Sequence, residues 1–398
     1  MRKFAFFASL FVSSLCFAES NAERPNLDDP VVRKKIIEQA VELIGLEAAN
    51  DTVQICEREG MKPYTGSGWG VFRHPDGEVK ALQQFRNGKQ HGLSTFFYVN
   101  GSREVECFYL NDKKMGLEKT WYSNGQISGK AHWINGQRDG IAQNWYENGQ
   151  KKSEVTLKKG EFHGMMNLWH ANGVKKSEGF FENGRWVGLF TAWHENGQKM
   201  DETNWKDGKQ YGLKTTWHKN GQKESEGNWK EGKQDGLVTW WHENGEKKAE
   251  FNWKDGKEHG LANEWYENGQ KKVEINHKDG EREGLLTDWY ENGQKKTEAE
   301  YMNGTQVGVQ TEWYENGEKS AEVTFKNGLP YNGKKWLPNG EVCPDSSLTN
   351  GTGVMVRYEN SGEEFKRIFL ENGKIVKESV AIPEPDFQET PFPAVFPE

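Results

Sequence analysis

The sequence predicts an all-β repeat protein: an elongated single-layer antiparallel meander of about 11–13 β-hairpin repeats, with a short N-terminal helix as cap. Three observations carry this. First, turn glycines at Gly77, Gly101, Gly125, Gly149, Gly173, Gly197, Gly221, Gly245, Gly269, Gly293 and Gly317 recur every 24 residues, and a fixed period of this size marks repeat architecture. Second, Asn-Gly and Asp-Gly pairs separate strand-like runs, the signature of hairpins. Third, the chain holds 45 Gly and 17 Trp while only 34% of it is apolar. It is too polar to fill large two-layer cores, yet rich in turn residues and aromatic strand formers.

The elements follow in order. Residues 1–18 read as a secretory signal peptide. Arg2 and Lys3 give a basic start, Phe4 to Val12 an apolar run, and cleavage is expected after Ala18 or Ala22. Leu15 stands where a small residue precedes a lipidated cysteine, which argues against lipidation at Cys16. Export to the periplasm, outer surface or medium is the expectation. No later run is long enough for a transmembrane helix, which needs roughly 20 apolar residues.

Residues 19–59 form an N-terminal segment with a helix over 30–49. Asp29-Pro30 supplies a cap and first turn, and Val32, Ile36, Ala40, Leu43 and Ile44 follow at helical spacing. Regular repeats run over 60–328. Residues 329–380 hold degenerate terminal copies, where the next turn glycine, Gly340, comes one residue early. Residues 381–398 are proline-rich and acidic, and read as a flexible tail.

Parity predicts the faces. In the copy from Gly236 the apolar columns Leu237, Trp241, Ala249, Phe251 and Trp253 are all odd-numbered. Strand residues alternate sides, so an odd loop keeps all five together. A three-residue loop, Glu243-Asn244-Gly245, with a left-handed glycine is expected, and Lys254-Asp255-Gly256 is expected to turn the same way. One face would then be apolar and the other charged.

Chemistry-bearing columns read as structure. His170, His194, His218 and His242 recur one per copy, and Tyr146, Tyr266, Tyr290 and Tyr314 fill the same column elsewhere. Two strand spacings, roughly 9.5 Å, separate neighbours, too far to share a metal. A solvated, aromatic-tolerant position is expected. The glutamates Glu154, Glu178, Glu202, Glu226, Glu250, Glu274, Glu298 and Glu322 are expected to pair with Lys152, Lys176, Lys248, Lys272 and Lys296. Such equivalent carboxylates lack the unlike environments that acid–base catalysis needs. No catalytic, cofactor or metal residues are assigned. Of Cys56, Cys107 and Cys343, Cys107 fits a small buried hydrophobe. The sequence leaves their disulfide state open.

The remaining candidate binding face is the column Trp145, Trp169, Trp193, Trp217, Trp241, Trp265, Trp289 and Trp313, packed beside Leu117, Ile141, Leu189, Leu213, Leu237, Leu261 and Leu285. A one-layer sheet leaves such a face uncovered, and exposed aromatic surface marks interaction sites.

Trp-Tyr-Glu-Asn-Gly-Gln-Lys-Lys at 145–152 and 265–272, followed by Glu154 or Glu274 and a glycine turn, resembles the MORN-repeat variant, a bacterial repeat of YwqK-type antitoxin-like proteins. The resemblance covers roughly 60–375 and implies a β-hairpin array that acts by binding. A second similarity is to Trp-Tyr-rich hairpins that bind choline or glucan at cell surfaces. Without its signal the chain carries 50 basic and 60 acidic side chains, which argues against nucleic acid or an anionic membrane as partner. The expected function is that of an exported, non-enzymatic scaffold binding another protein, the alternatives being antitoxin-like neutralisation or carbohydrate and cell-wall binding.

Overall fold

The computed structural model describes residues 25–48, 52–58 and 63–380, so the signal-like segment 1–18 and the tail 381–398 lie outside the described residues. The chain divides into two compact units, one up to Lys209 and one from Gln210 onward.

In the first unit Asp29 caps helix α1 (Pro30–Gln39), its carboxylate accepting from the Val31 and Val32 amides. The helix expected over 30–49 stops at Gln39, and Val41–Ala48 is strand β1 instead. β1 pairs antiparallel with β2 (Thr52–Glu57) and, at Val41 and Glu42, parallel with β3 (Gly68–Arg73). Two gains favour strand over helix. Backbone pairing satisfies the first edge of the array, and Leu43 is buried against Tyr64 and Phe85. The site needs Gly70, since a Cβ there would lie 2.3 Å from Leu43 Cδ1.

β4 (Val79–Arg86) and β5 (Lys89–Phe97) continue the series. Leu27, Val71, Leu82, Leu93 and Phe97 form a core that Ile36, Ile37 and Ala40 cover. The short helix therefore caps the start of the array. Every later strand in this unit pairs antiparallel with its chain neighbours, up to Lys199–Lys206. The second unit repeats the scheme as far as Lys374–Val380. Among the described residues the fold is thus an open antiparallel sheet of hairpin repeats with one short helix.

One copy shows the local rules. The Gly245 amide donates to the His242 carbonyl at 3.0 Å and the His242 amide to the Glu246 carbonyl at 2.9 Å. With Gly245 at φ +88°, this is the expected three-residue loop, a type I turn closed by a glycine bulge. The Lys254–Lys257 turn differs from expectation. Lys254 pairs directly with Lys257, and Asp255 and Gly256 sit at φ +51° and +82°, a two-residue type I′ turn.

A second irregularity overturns the parity reading. Trp241 pairs with Lys247 but Trp240 with Ala249, so Lys248 is an extra, unpaired residue. That bulge switches faces just beyond the loop. Val238 and Trp240 therefore share a face with Phe251 and Ala249, while Leu237 and Thr239 share the other with Asn252 and Glu250. Val238 is 3% exposed and Leu237 47%.

The first of these, the packed face, holds the core. Ala131, Ala142 and Leu157 cluster on it in the first unit, and Ala262, Ile275 and Leu286 in the second. At the C-terminal end, where the turn glycines shorten their spacing to Gly340 and Gly362, Val323, Leu348, Met355 and Leu370 form a further cluster.

Candidate functional site

The tryptophan column lies at strand ends on the face opposite the packed one. Trp145, Trp169, Trp193, Trp217, Trp241, Trp265, Trp289 and Trp313 are all half-buried. Their leucine neighbours do not bury them from the side that holds Phe251 and Trp253, as parity had suggested. Both columns share this second face with the glutamates, so it is not purely apolar or purely charged.

Lysines cover the rings. Lys151 Nζ lies 5.3 Å from the Trp169 ring centre, and Lys223, Lys247, Lys271 and Lys295 stand 5.6–5.8 Å from Trp241, Trp265, Trp289 and Trp313. Each such lysine also pairs with the glutamate three residues on. The distances are 2.8 Å for Lys151–Glu154, 2.6 Å for Lys223–Glu226 and 2.5 Å for Lys247–Glu250. The partners are thus one residue earlier than expected, because Lys152, Lys248 and their equivalents are the bulge residues. Lys152, Lys272 and Lys296 instead sit over Tyr146, Tyr266 and Tyr290. Contacts to Lys151 and Gln143 hold the Glu154 carboxyl below its ordinary range.

The tyrosine–histidine column was expected to be solvated. It is instead a hydrogen-bonded ladder between copies. Tyr146 Oη donates to the Trp169 carbonyl at 2.9 Å, Tyr266 to Trp289 at 2.7 Å and Tyr290 to Trp313 at 2.8 Å. His170 Nε2 reaches the Trp193 carbonyl at 2.9 Å and His242 that of Trp265 at 3.0 Å. A carbonyl only accepts, so Nε2 carries the proton. Burial pushes the Tyr266 and Tyr290 hydroxyls up, and Tyr314 to about 12.

Turn asparagines add a second rung: Asn148 Nδ2 donates to the Ala171 carbonyl at 2.7 Å while its Oδ1 accepts from the Gln150 amide. Asn244 and Asn268 repeat this. These two ladders explain why Trp-Tyr/His and Asn-Gly travel together in the sequence. Spacing alone could not show them, because their acceptors are main-chain atoms one copy away.

Beside each tryptophan the aliphatic column stands open. In the first unit Ile141 and Leu189 are 49% and 50% exposed; in the second Leu261 is 45% and Leu285 54%. At the first copies the same columns are closed. Leu93 and Phe97 are 4% and 2% exposed beneath α1, with Arg33 placed 5.5 Å over the Phe97 ring.

Cys107 and Cys343 are buried free thiols. Burial raises the Cys107 thiol to about 11, in keeping with a small buried hydrophobe, while the Cys56 side chain lies outside the described residues. Among the described residues no group of three or more His, Cys, Asp or Glu is disposed to hold a metal ion, and no helix is long and apolar enough to cross a membrane.

No curated protein matches the chain. Among solved structures it is similar to a crystal structure of TarM, 10% identical, over 44% of this chain and 27% of that one, with a TM-score of 0.17. The crystal structure of TcdB2-TccC3-Cdc42 is also 10% identical, over 83% of this chain and 20% of that one, at 0.15. A Photorhabdus luminescens Tc holotoxin pore is 9% identical over the same shares, also at 0.15. The chain thus spans only about a fifth to a quarter of their lengths, and likeness this slight carries no functional weight. The family model of the MORN repeat variant matches residues 116–135, 138–159, 234–255, 258–279, 282–303 and 306–327. Such repeats are generally protein- or membrane-binding modules. With six matched copies that coincide with the hairpins described above, the chain belongs to the MORN repeat variant family.

Proposed function

We propose that the chain is a non-enzymatic scaffold that binds another protein through the face carrying the leucine and tryptophan columns. One observation carries this reading: the columns that stand open at Leu237, Leu261 and Leu285 are closed at Leu93 and Phe97 by helix α1. The helix is a sample of what the face accepts. It brings an apolar stripe onto the aliphatic column and a cation over the aromatic one, and exposed apolar rows of this kind usually mark interaction sites. The signal-like residues 1–18 support a site of action after export. An antitoxin-like role is the version in which the partner is a toxin.

Carbohydrate binding is the less supported reading, because a sugar stacks on an open ring face and a lysine already stands over these rings. The test is a triple variant, Leu237→Glu with Leu261→Glu and Leu285→Glu, compared with the wild type for proteins retained from its own host's envelope fraction. A protein held by the wild type and lost by the variant, with unchanged circular dichroism, is the expected result. Equal retention would sink the proposal. Quenching of tryptophan fluorescence by one glycan, saturable and absent with other sugars, would favour the rival.

A further inference from the structure

In the second unit one column of the packed face turns from neutral to charged residues. Ala249 pairs with Glu264, Val273 with Asp288 and Thr297 with Glu312, so successive copies put an acid at one position of the packed face. In the next, shortened copy Ala321 pairs with Lys335, and the charge reverses. Lys335 is only 7% exposed. Its one ion-pair partner among the described residues is Glu312, at 3.6 Å, and that carboxylate already accepts from Gln310 Nε2 at 2.6 Å. An ammonium has three donors and is costly to bury with so few acceptors. Burial accordingly holds Lys335 below the ordinary lysine value.

The ammonium borders a cavity of about 460 Å³ walled by Trp313, Tyr314, Tyr358 and Phe365, a volume within the range of ligand sites. Arg357 and Lys296 join Lys335 at it, against Glu312 and Glu359, leaving a net positive charge in a chain whose overall charge is negative. The wall hydroxyls are engaged elsewhere: Tyr314 donates to the Trp336 carbonyl at 2.8 Å, and Tyr358 Oη lies 3.2 Å from Cys343 Sγ. The rings therefore offer apolar surface, and Lys335 and Arg357 offer positive charge beside the neutral polar groups of Thr297, Ser320 and Asn360.

We propose that this cavity is a binding site for a carboxylate flanked by an aromatic or apolar group, supplied by an acidic peptide segment of a partner protein, with Lys335 and Arg357 as its charged contacts. Planar guanidinium suits a carboxylate, and the buried ammonium gains the acceptor it lacks. Lys335 and Glu312 belong to the packed face; the site meets the tryptophan column only at Trp313 and does not rest on the open leucine column.

Calorimetric titration of the full chain with acetyl-Glu-Phe-amide tests it. Saturable binding is expected, at least tenfold weaker with acetyl-Gln-Phe-amide and with the Lys335→Gln variant. Lys335→Arg should retain binding, and so should Lys334→Gln, which alters the opposite face beside Glu322. Thermal melts followed by circular dichroism check that each variant is folded. No saturation with the acidic peptide, or equal affinity in folded Lys335→Gln, would overturn the proposal. Phenylacetate binding as tightly as the peptide would overturn the peptide assignment in favour of a small organic acid.

Discussion

Single positions decide which side of this sheet is core. Leu237 and Val238 are neighbours, similar in chemistry, and differ more than tenfold in exposure: they face opposite sides of the strand, and the unpaired Lys248 is what puts Val238, not Leu237, on the side of Phe251. Replacing each by Asn tests the assignment. Val238→Asn buries an unsatisfied amide and should lose about 2–3 kcal/mol in urea denaturation, whereas Leu237→Asn should stay within about 0.5 kcal/mol. The opposite order would restore the face read from parity. The sequence showed the 24-residue columns and the glycine-bulged loop at this scale. It did not show the second bulge, because a lysine between a lysine and an alanine has no sequence feature marking it as unpaired. Two consecutive positive-φ residues at Asp255 and Gly256 were, by contrast, legible in Asp-Gly and were misread as part of a longer loop.

At the scale of the hairpin, the ladders do what a hydrophobic core does in a thicker fold. Each hydrogen bond from a tyrosine or histidine to the next copy's tryptophan carbonyl contributes on the order of 1 kcal/mol net, and leaving that carbonyl unpaired costs more. The tyrosine rungs also make stability depend on pH. Their folded pKa values lie above the unfolded value of about 10, with Tyr314 near 12. The folded state therefore holds its protons longer than the unfolded one. The stabilisation is complete below about pH 10 and is lost as pH rises from there through about 12. Melting temperature between pH 9 and 12 should fall over that window, and Tyr314→Phe should flatten part of the fall. A flat profile in the wild type would show that the rungs are not desolvated. The lysine–glutamate pairs are partly exposed and contribute less, at most about 1 kcal/mol each.

For the molecule as a whole, strands pair with chain neighbours within each unit, and the period is an even number of residues. Stability in such an array is close to a sum of copies and their interfaces. Deleting residues 255–278 joins Lys254 to Asp279 and restores the Asp-Gly turn with Gly280. The product should melt cooperatively with a modest loss of stability. Deleting 255–277 removes one residue fewer and displaces every later side chain to the wrong face. Loss of the cooperative transition is expected there, and equal melts for the two deletions would contradict the register.

The sequence by itself determined the repeat, its period, the hairpins and the membership in a binding-module family, because glycine spacing and Asn-Gly chemistry are local and recur. It also placed a cap at the start, with Asp29 and Pro30 marking where the helix begins. Only the tertiary structure decided where that helix ends, since the edge of β3 offers pairing that local propensity cannot register. Only it decided which columns are buried, since one added residue reverses a strand's faces without altering the period. And only it brought Lys335 beside Arg357 and a ring of aromatics, because that meeting depends on strands that pair across a shortened, irregular copy.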